Sequence, residues 1–229
     1  QSALITGGAS GIGEALAREV ASSGVSVVIA DRQTQRAEQV CESIREAGGQ
    51  ARWEELDVRD RARFREVAAD LVRREGRIDY FFNNAGIAIG GSTTDMADED
   101  WDTILDVNLR GAVNGIQAVY PLMVEQEHGH IINTASMAGL VPFPMATGYS
   151  TTKYALVGMS LSLRSEAAVH GVRVSALCPG VVRTSILDAG GQYGHMKGVD
   201  EDRVAEQMEL LRPMDPEKFA RKVFAQVRR

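Results

Sequence analysis

Apolar residues along this chain follow two alternating patterns. Ala3-Leu4-Ile5 is a short continuous run, and after the turn Thr6-Gly7-Gly8-Ala9-Ser10-Gly11-Ile12-Gly13 the residues Ala15, Leu16, Val20 and Ala21 recur at helical spacing. That order predicts strand, glycine turn and helix. Val25 to Ala30 is again continuous and apolar, as in a parallel strand covered on both faces, with Asp31 at its end. A helix is expected over 34–47, closed by Gly48-Gly49. A third strand follows over 51–56, ending in Asp57-Val58, then a helix over 61–74 with Gly76 behind it. Residues 78–82 read as a fourth strand emptying into Asn83-Asn84-Ala85-Gly86. After a loop with Gly90-Gly91-Ser92, residues 98–127 read as a short helix joined to a long one, with Asn108 inside the long one. A fifth strand is expected over 130–134, ending near Ser136. A helix over 149–170 stops at Gly171, and a sixth strand over 172–177 runs into Cys178-Pro179-Gly180.

Strand and helix alternate throughout, which predicts an α/β fold: a Rossmann-like doubly wound parallel sheet with helices on both faces. The pattern weakens from Thr184. Gly190-Gly191-Gln192-Tyr193-Gly194 holds a helix poorly and reads as a mobile flap or as a plain surface loop. Residues 201–211 and 216–229 read as the last helices.

Composition narrows the possible functions. Apolar residues make up 44% and charged residues 24% of 229 residues, an ordinary globular balance in a chain of single-domain length. The net charge of -6 comes from interspersed acids and bases, so no basic stripe is offered to nucleic acid and no Lys/Arg cluster to a membrane. No apolar run is long enough to span a bilayer. No signal peptide is read, although Gln1 is not a natural start. Cys41 and Cys178 are far apart and read as reduced thiols, which predicts a cytoplasmic protein; the four histidines show no metal-ligand spacing, and no metal is predicted.

In an open α/β sheet, ligands bind in the crevice at the carboxyl ends of the strands. The unusual residues all fall there: Gly7 to Gly13, Asp31, Asp57, Asn83 to Gly86, Ser136 and Pro179-Gly180. Backbone N–H groups at a glycine turn and a helix N-terminus make a site for a pyrophosphate, and a Cβ there would hold the phosphates off. Asp31 is placed to accept hydrogen bonds from an adenosine ribose, and its charge would repel a 2′-phosphate, so NAD is favoured over NADP. Arg32 would offset that repulsion if it moved over a phosphate. Asp57 and Val58 would hold an adenine, although an acid at a strand end is also a common helix cap.

Tyr149 and Lys153 are four apart, so in a helix they share one face. An ordinary tyrosine has a pKa near 10, and lowering it to about 7 requires roughly 4 kcal/mol of preference for the phenolate. A partly shielded ammonium one turn away has the right sign. In isolation the pair reads instead as a core tyrosine and a solvated lysine on an ordinary helix.

Taken together, Thr6-Gly-x-x-x-Gly-x-Gly13, Asn83-Asn84-Ala85-Gly86, Asn108, Ser136, Tyr149-x-x-x-Lys153 and Pro179-Gly180 closely resemble the short-chain dehydrogenase/reductase family, in order and over nearly the whole chain. The resemblance implies hydride transfer between a nicotinamide cofactor and a secondary alcohol or ketone. Tyr149 would be the general acid/base. Lys153 would lower its pKa and bond the nicotinamide ribose, Ser136 would hold the carbonyl oxygen, and Asn108 would hold a water linking Lys153 to solvent. Gly7, Ser10, Gly11, Ile12 and Gly13 would take the pyrophosphate. Asn83, Asn84, Ala85 and Gly86 would line the cofactor, with Pro179, Gly180, Val182 and Thr184 on the carboxamide. The resemblance makes 1–229 a single dinucleotide-binding and catalytic domain, with 184–213 as a substrate flap, and implies a homotetramer or dimer.

Family members usually add a strand after the last helix, and this sequence stops at Arg228-Arg229. The substrate pocket would be built by the loop 137–147 and the segment 185–212. Met137, Leu140, Val141, Pro142, Phe143 and Met145, with Ile186 and Leu187, would frame an apolar substrate, or they are simply hydrophobic core. Two other readings remain open at this stage: a dinucleotide-binding regulator without turnover, and a cofactor-retaining epimerase or dehydratase.

Overall fold

The computed structural model describes residues 1–187, 193–198, 200, 204, 206 and 209–229. Strands β1 (Ser2–Thr6), β2 (Ser26–Asp31), β3 (Ala51–Glu55), β4 (Tyr80–Asn83), β6 (Gly129–Thr134) and β7 (Val172–Leu177) form one six-stranded sheet. Its order is β3-β2-β1-β4-β6-β7, and every neighbouring pair is parallel. The order reverses between β1 and β4, and a crevice opens where strands diverge to opposite sides. All six strands read from the sequence are present within one or two residues of their expected ends.

Side chains alternate across each strand, so one apolar run supplies two cores. Ala3, Ile5, Val27, Ile29 and Phe82 pack under α1 (Gly11–Ser22), α2 (Thr34–Glu46) and the C-terminal helix Pro216–Val227. Leu4, Val28, Phe81 and Ile131 face the other way, against α3 (Arg61–Glu75), α5 (Gly111–Glu125) and α6 (Thr147–Ala167). This two-sided burial is why the central strands lack an apolar-polar alternation.

Three features depart from the sequence reading. The helix over 98–127 is not a short piece joined to a long one that holds Asn108. Instead α4 (Asp98–Ile104) passes through a π-helical turn, Leu105–Arg110, into α5, and Asn108 sits in that turn. Next, α6 starts at Thr147, not at Tyr149, which places Tyr149 inside the first turn. Finally, β5 (Ala88–Gly90) pairs in parallel with β8 (Gly194–Met196), a two-stranded sheet that no sequence pattern announced. The helix expected over 201–211 lies mostly outside the described residues, as do 188–192 of the glycine-rich segment. Among the described residues no helix is long and apolar enough to cross a membrane.

His130 pins the lower part of this sheet. It is buried, and its ring bridges the Val227 carbonyl (3.3 Å) and the Ser175 hydroxyl (2.9 Å). Burial, helped by the Arg173 charge and opposed by the Val227 carbonyl, pushes its pKa down to about 4. Between the ordinary histidine value near 6.5 and pH 4 the unfolded chain therefore binds a proton that the folded protein refuses. Stability should fall as pH drops through that window, by roughly 3 kcal/mol in all. Chemical denaturation at pH 7 and pH 4 checks this. His130→Gln should start less stable and lose less on acidification, and an equal acid loss in both proteins would refute the assignment.

Candidate active site

The carboxyl ends of the strands open into one cleft of about 470 Å³. Gly7, Ser10, Gly11 and Ile12 from the first turn line it, and Gly7 and Gly11 hold positive φ (66° and 55°). A Cβ on Gly7 would come within 2.9 Å of the Ala85 backbone. Gly13 does not line the cleft. It lies against the turn, where a Cβ would fall 2.1 Å from the Gly7 carbonyl oxygen, so its part is to let α1 approach. Ser10 is the N-cap of α1 but makes no side-chain cap bond, leaving the first N–H groups without a side-chain acceptor. An open helix N-terminus beside a glycine cradle fits a dinucleotide pyrophosphate.

Asp31 is buried at the edge of this turn. Its carboxylate accepts from the backbone N–H of Ala9 (3.0 Å) and of Gln33 (2.9 Å), which fixes its orientation. Arg32, Asp57 and Val58 line the cleft beside it. The Asp57 carboxylate is gripped by Arg59 through its backbone N–H and Nε (both 3.0 Å), and the Arg59 hydrogen bond pulls its pKa down. Nothing in the sequence signalled that grip.

In the turn after β4, Asn84, Ala85 and Gly86 line the cleft, whereas Asn83 does not. Asn83 faces into the protein, donating to the Ala112 carbonyl (2.9 Å) and the Asn133 side chain (3.0 Å). The expectation that it lines the cofactor is corrected: it braces β4 against β6 and α5. Asn84 is fixed from three directions, by the Thr6 hydroxyl (2.9 Å), the Thr6 carbonyl (3.1 Å) and the Thr134 hydroxyl (3.2 Å).

Ser136, Tyr149 and Lys153 meet on one wall. Ser136 follows β6 as the N-cap of a short 3-10 turn, Met137–Gly139; its hydroxyl accepts from the Ala138 N–H (3.1 Å) and is close enough to the Tyr149 phenol to act on its pKa. The Lys153 ammonium stands 5.4 Å from the centre of the Tyr149 ring and donates to the Thr134 carbonyl at 2.9 Å. Burial pushes Lys153 down to about 8, so it keeps its proton at neutral pH. Burial pushes the Tyr149 phenol up, and the Ser136 bond pulls part of the way back. The protein alone thus holds Tyr149 as a neutral phenol; burial sets the direction, and the lowering expected from Lys153 is not among its causes.

Asn108 is buried behind this wall. Its side chain accepts from the Ile87 N–H and donates to the Ile87 carbonyl (both 2.8 Å), and it also donates to the Thr152 hydroxyl (3.2 Å). Thr152 was not singled out in the sequence, yet it stands beside Lys153 and links Asn108 to the Tyr149 carbonyl (2.7 Å). Both N–H donors of the Asn108 amide are engaged, so a water held by this residue would donate to one of its carbonyl oxygens.

Pro179, Gly180, Val182 and Thr184 form the roof, with the Thr184 side chain packed over Gly11. Of the apolar loop, Met137 and Phe143 line the cleft, as does Ile186 from beyond Thr184. Leu140 and Val141 do not line it and are half exposed, so the core reading of these residues fails. The Leu187 side chain lies outside the described residues. From the short strand pair, Tyr193, His195 and Met196 close the remaining side, and Lys197 forms an ion pair with Asp100. Among the described residues no group of three His, Cys, Asp or Glu is placed to hold a metal.

A doubly wound sheet with a glycine cradle at its first turn and a serine, a tyrosine and a lysine on the facing wall defines a dinucleotide-dependent α/β enzyme. Residues 1–192 match the family model described as short chain dehydrogenase. Oxidoreductase UcpA of Salmonella typhimurium is 37% identical over 219 residues, covering 94% of this chain and 83% of the relative. The solved structure of an NAD+-bound xylitol dehydrogenase superposes with a TM-score of 0.88 at 29% identity, covering 99% of this chain and 91% of that one. An actinorhodin polyketide ketoreductase with NADPH gives 0.88 at 31% identity, covering 99% and 89%. The chain belongs to the short-chain dehydrogenase family and is a nicotinamide-dependent oxidoreductase.

Proposed function

We propose that the protein interconverts a secondary alcohol and a ketone on an apolar frame, using NAD in preference to NADP. The observation that carries this reading is the meeting of Ser136, Tyr149 and Lys153 on the wall of the cleft that also contains the glycine cradle. The nicotinamide, when bound, supplies or accepts the hydride. Ser136 positions the substrate oxygen and stabilises charge on it, and Tyr149, protonated at neutral pH, donates the proton to a carbonyl oxygen. Lys153 holds a positive charge beneath the phenol and offers its remaining N–H groups to the cofactor ribose. The Asn108 carbonyl, in its π-turn, would seat the water that passes protons from Lys153 outward. Asp31 accepts the adenosine ribose hydroxyls, and its charge supports NAD over NADP.

The apolar substrate class is supported by Met137, Phe143, Ile186 and Met196 around the catalytic wall. A panel of alcohols and ketones, followed by the absorbance of the reduced nicotinamide with NADH and NADPH in parallel, tests it. The value of kcat/KM should rise roughly fourfold for each methylene the cleft buries. Preference for small polyols would end the apolar reading. We take 1–229 as one catalytic unit in the cytoplasm with 184–213 as its substrate flap, assembled as a dimer or tetramer; a monomer on sedimentation at micromolar concentration would rule out the assembly.

A further inference from the structure

Gly90 is a glycine for space. Its φ is not in the left-handed region, so the backbone there would accept a side chain. The surroundings would not: a Cβ on Gly90 would fall 2.3 Å from the Met196 sulfur, 3.1 Å from its methyl carbon and 2.7 Å from the Met145 carbonyl oxygen. Parallel pairing of β5 with β8 sets Gly90 opposite Met196, and the Lys197 N–H donates to the Gly90 carbonyl at 2.9 Å. On the other side the Gly91 N–H donates to the Met145 carbonyl at 2.7 Å. Met145 precedes α6, whose first turn carries Tyr149, and Gly90 and Met196 both line the cleft.

Backbone bonds therefore hold β5, β8 and the Met145 loop together at Gly90, and the thioether of Met196 is the part that can move. A methionine chain has three rotatable bonds and a polarisable sulfur, so it fills whatever gap its neighbours leave. We propose that Gly90 and Met196 are a specificity-determining pair that sets the width of the substrate end of the cleft. With no Cβ on Gly90 the thioether lies back against the β5 backbone, which leaves room for a bulky group beside the reacting carbon; a side chain at position 90 drives it forward over the cleft. The inference rests on the ketone and alcohol reading above and adds to it the dimension along which substrates are sorted.

Reduction of acetophenone and of butanone, a broad and a narrow ketone, is compared in the unaltered protein, Gly90→Ala, Met196→Ala and the double variant. In Gly90→Ala the acetophenone-to-butanone ratio of kcat/KM should fall about tenfold. Met196→Ala removes atoms and threatens the fold least, and its ratio should rise. Because the first methyl acts through the thioether, adding Gly90→Ala to Met196→Ala should leave the ratio within about twofold. An unchanged ratio in either single variant overturns the proposal, and so does an equal fall in the double variant, which would place the effect in the Met145 backbone. A second readout needs no turnover: the methyl resonance of Met196, assigned by its loss in Met196→Ala, should shift in Gly90→Ala, and a fixed resonance also overturns the proposal. Failure of the underlying reading looks different: the unaltered protein would then reduce neither ketone, while the Met196 resonance would still respond to Gly90→Ala.

Discussion

Tyr149→Phe should cut kcat by a factor on the order of 10² or more while leaving the Kd for NADH within about twofold. The ring is retained, so the wall of the cleft and the 5.4 Å approach of Lys153 persist, and only the hydroxyl beside Ser136 is lost. Among the described residues no other phenol lies beside Ser136 and Lys153 to replace it at the substrate oxygen. Ser136 is the nearest hydroxyl, but an aliphatic alcohol is a far weaker acid than a phenol, and Lys153 lies beneath the ring with its ammonium on the Thr134 carbonyl. A purely structural role for Tyr149 would predict a fall in affinity and in melting temperature with kcat preserved. Near-normal turnover in the variant would mean the proton travels by another route.

Gly13→Ala should be the most damaging single-methyl change near the cleft. The added carbon would lie 2.1 Å from the Gly7 carbonyl oxygen and 2.7 Å from the Asn84 side-chain nitrogen. Neither can yield easily: the first is backbone, and Asn84 is held by Thr6 and Thr134. Helix α1 cannot back away without uncovering Leu16 and Val20, both fully buried. Overpacking of this kind costs about 1–3 kcal/mol in ordinary cores, and more is expected where backbone must move. The variant should lose several degrees of melting temperature and at least about tenfold in NADH affinity, since the turn that would hold the pyrophosphate shifts with it. Gly158→Ala is the control: its added carbon meets nothing within 4 Å on α6, and stability should hold or rise slightly. Equal behaviour of the two variants would mean the turn is softer than its contacts imply.

The fold was legible because the central strands are apolar runs without alternation, covered on both faces, and six strand patterns in all were separated by helical periods. The cradle, Asp31 and the catalytic wall were legible for a related reason: each sits at a strand end or one helical turn apart, where spacing fixes position. What stayed hidden depends on choices that spacing does not make. Asn83 and Asn84 are neighbours with the same amide, but Asn83 closes β4 and pairs with Asn133, which turns it inward while Asn84 reaches the cleft. The strands β5 and β8 are three residues each, too short for a period to register. The pKa of Tyr149 was misjudged because proximity to Lys153 was weighed without the burial that both residues share.

The widened turn at Leu105–Arg110 has a consequence for how this molecule tolerates change. It adds one residue's worth of arc, so the faces of α4 and α5 are phased independently by roughly 100°. Ile104 can therefore seat in the interior on one side while Ala118 and Val119 seat on another, with Asn108 aimed at Ile87 between them. Deleting a single residue there would restore regular winding and leave one of those three alignments unmet, so this stretch should accept substitutions far more readily than a change in length.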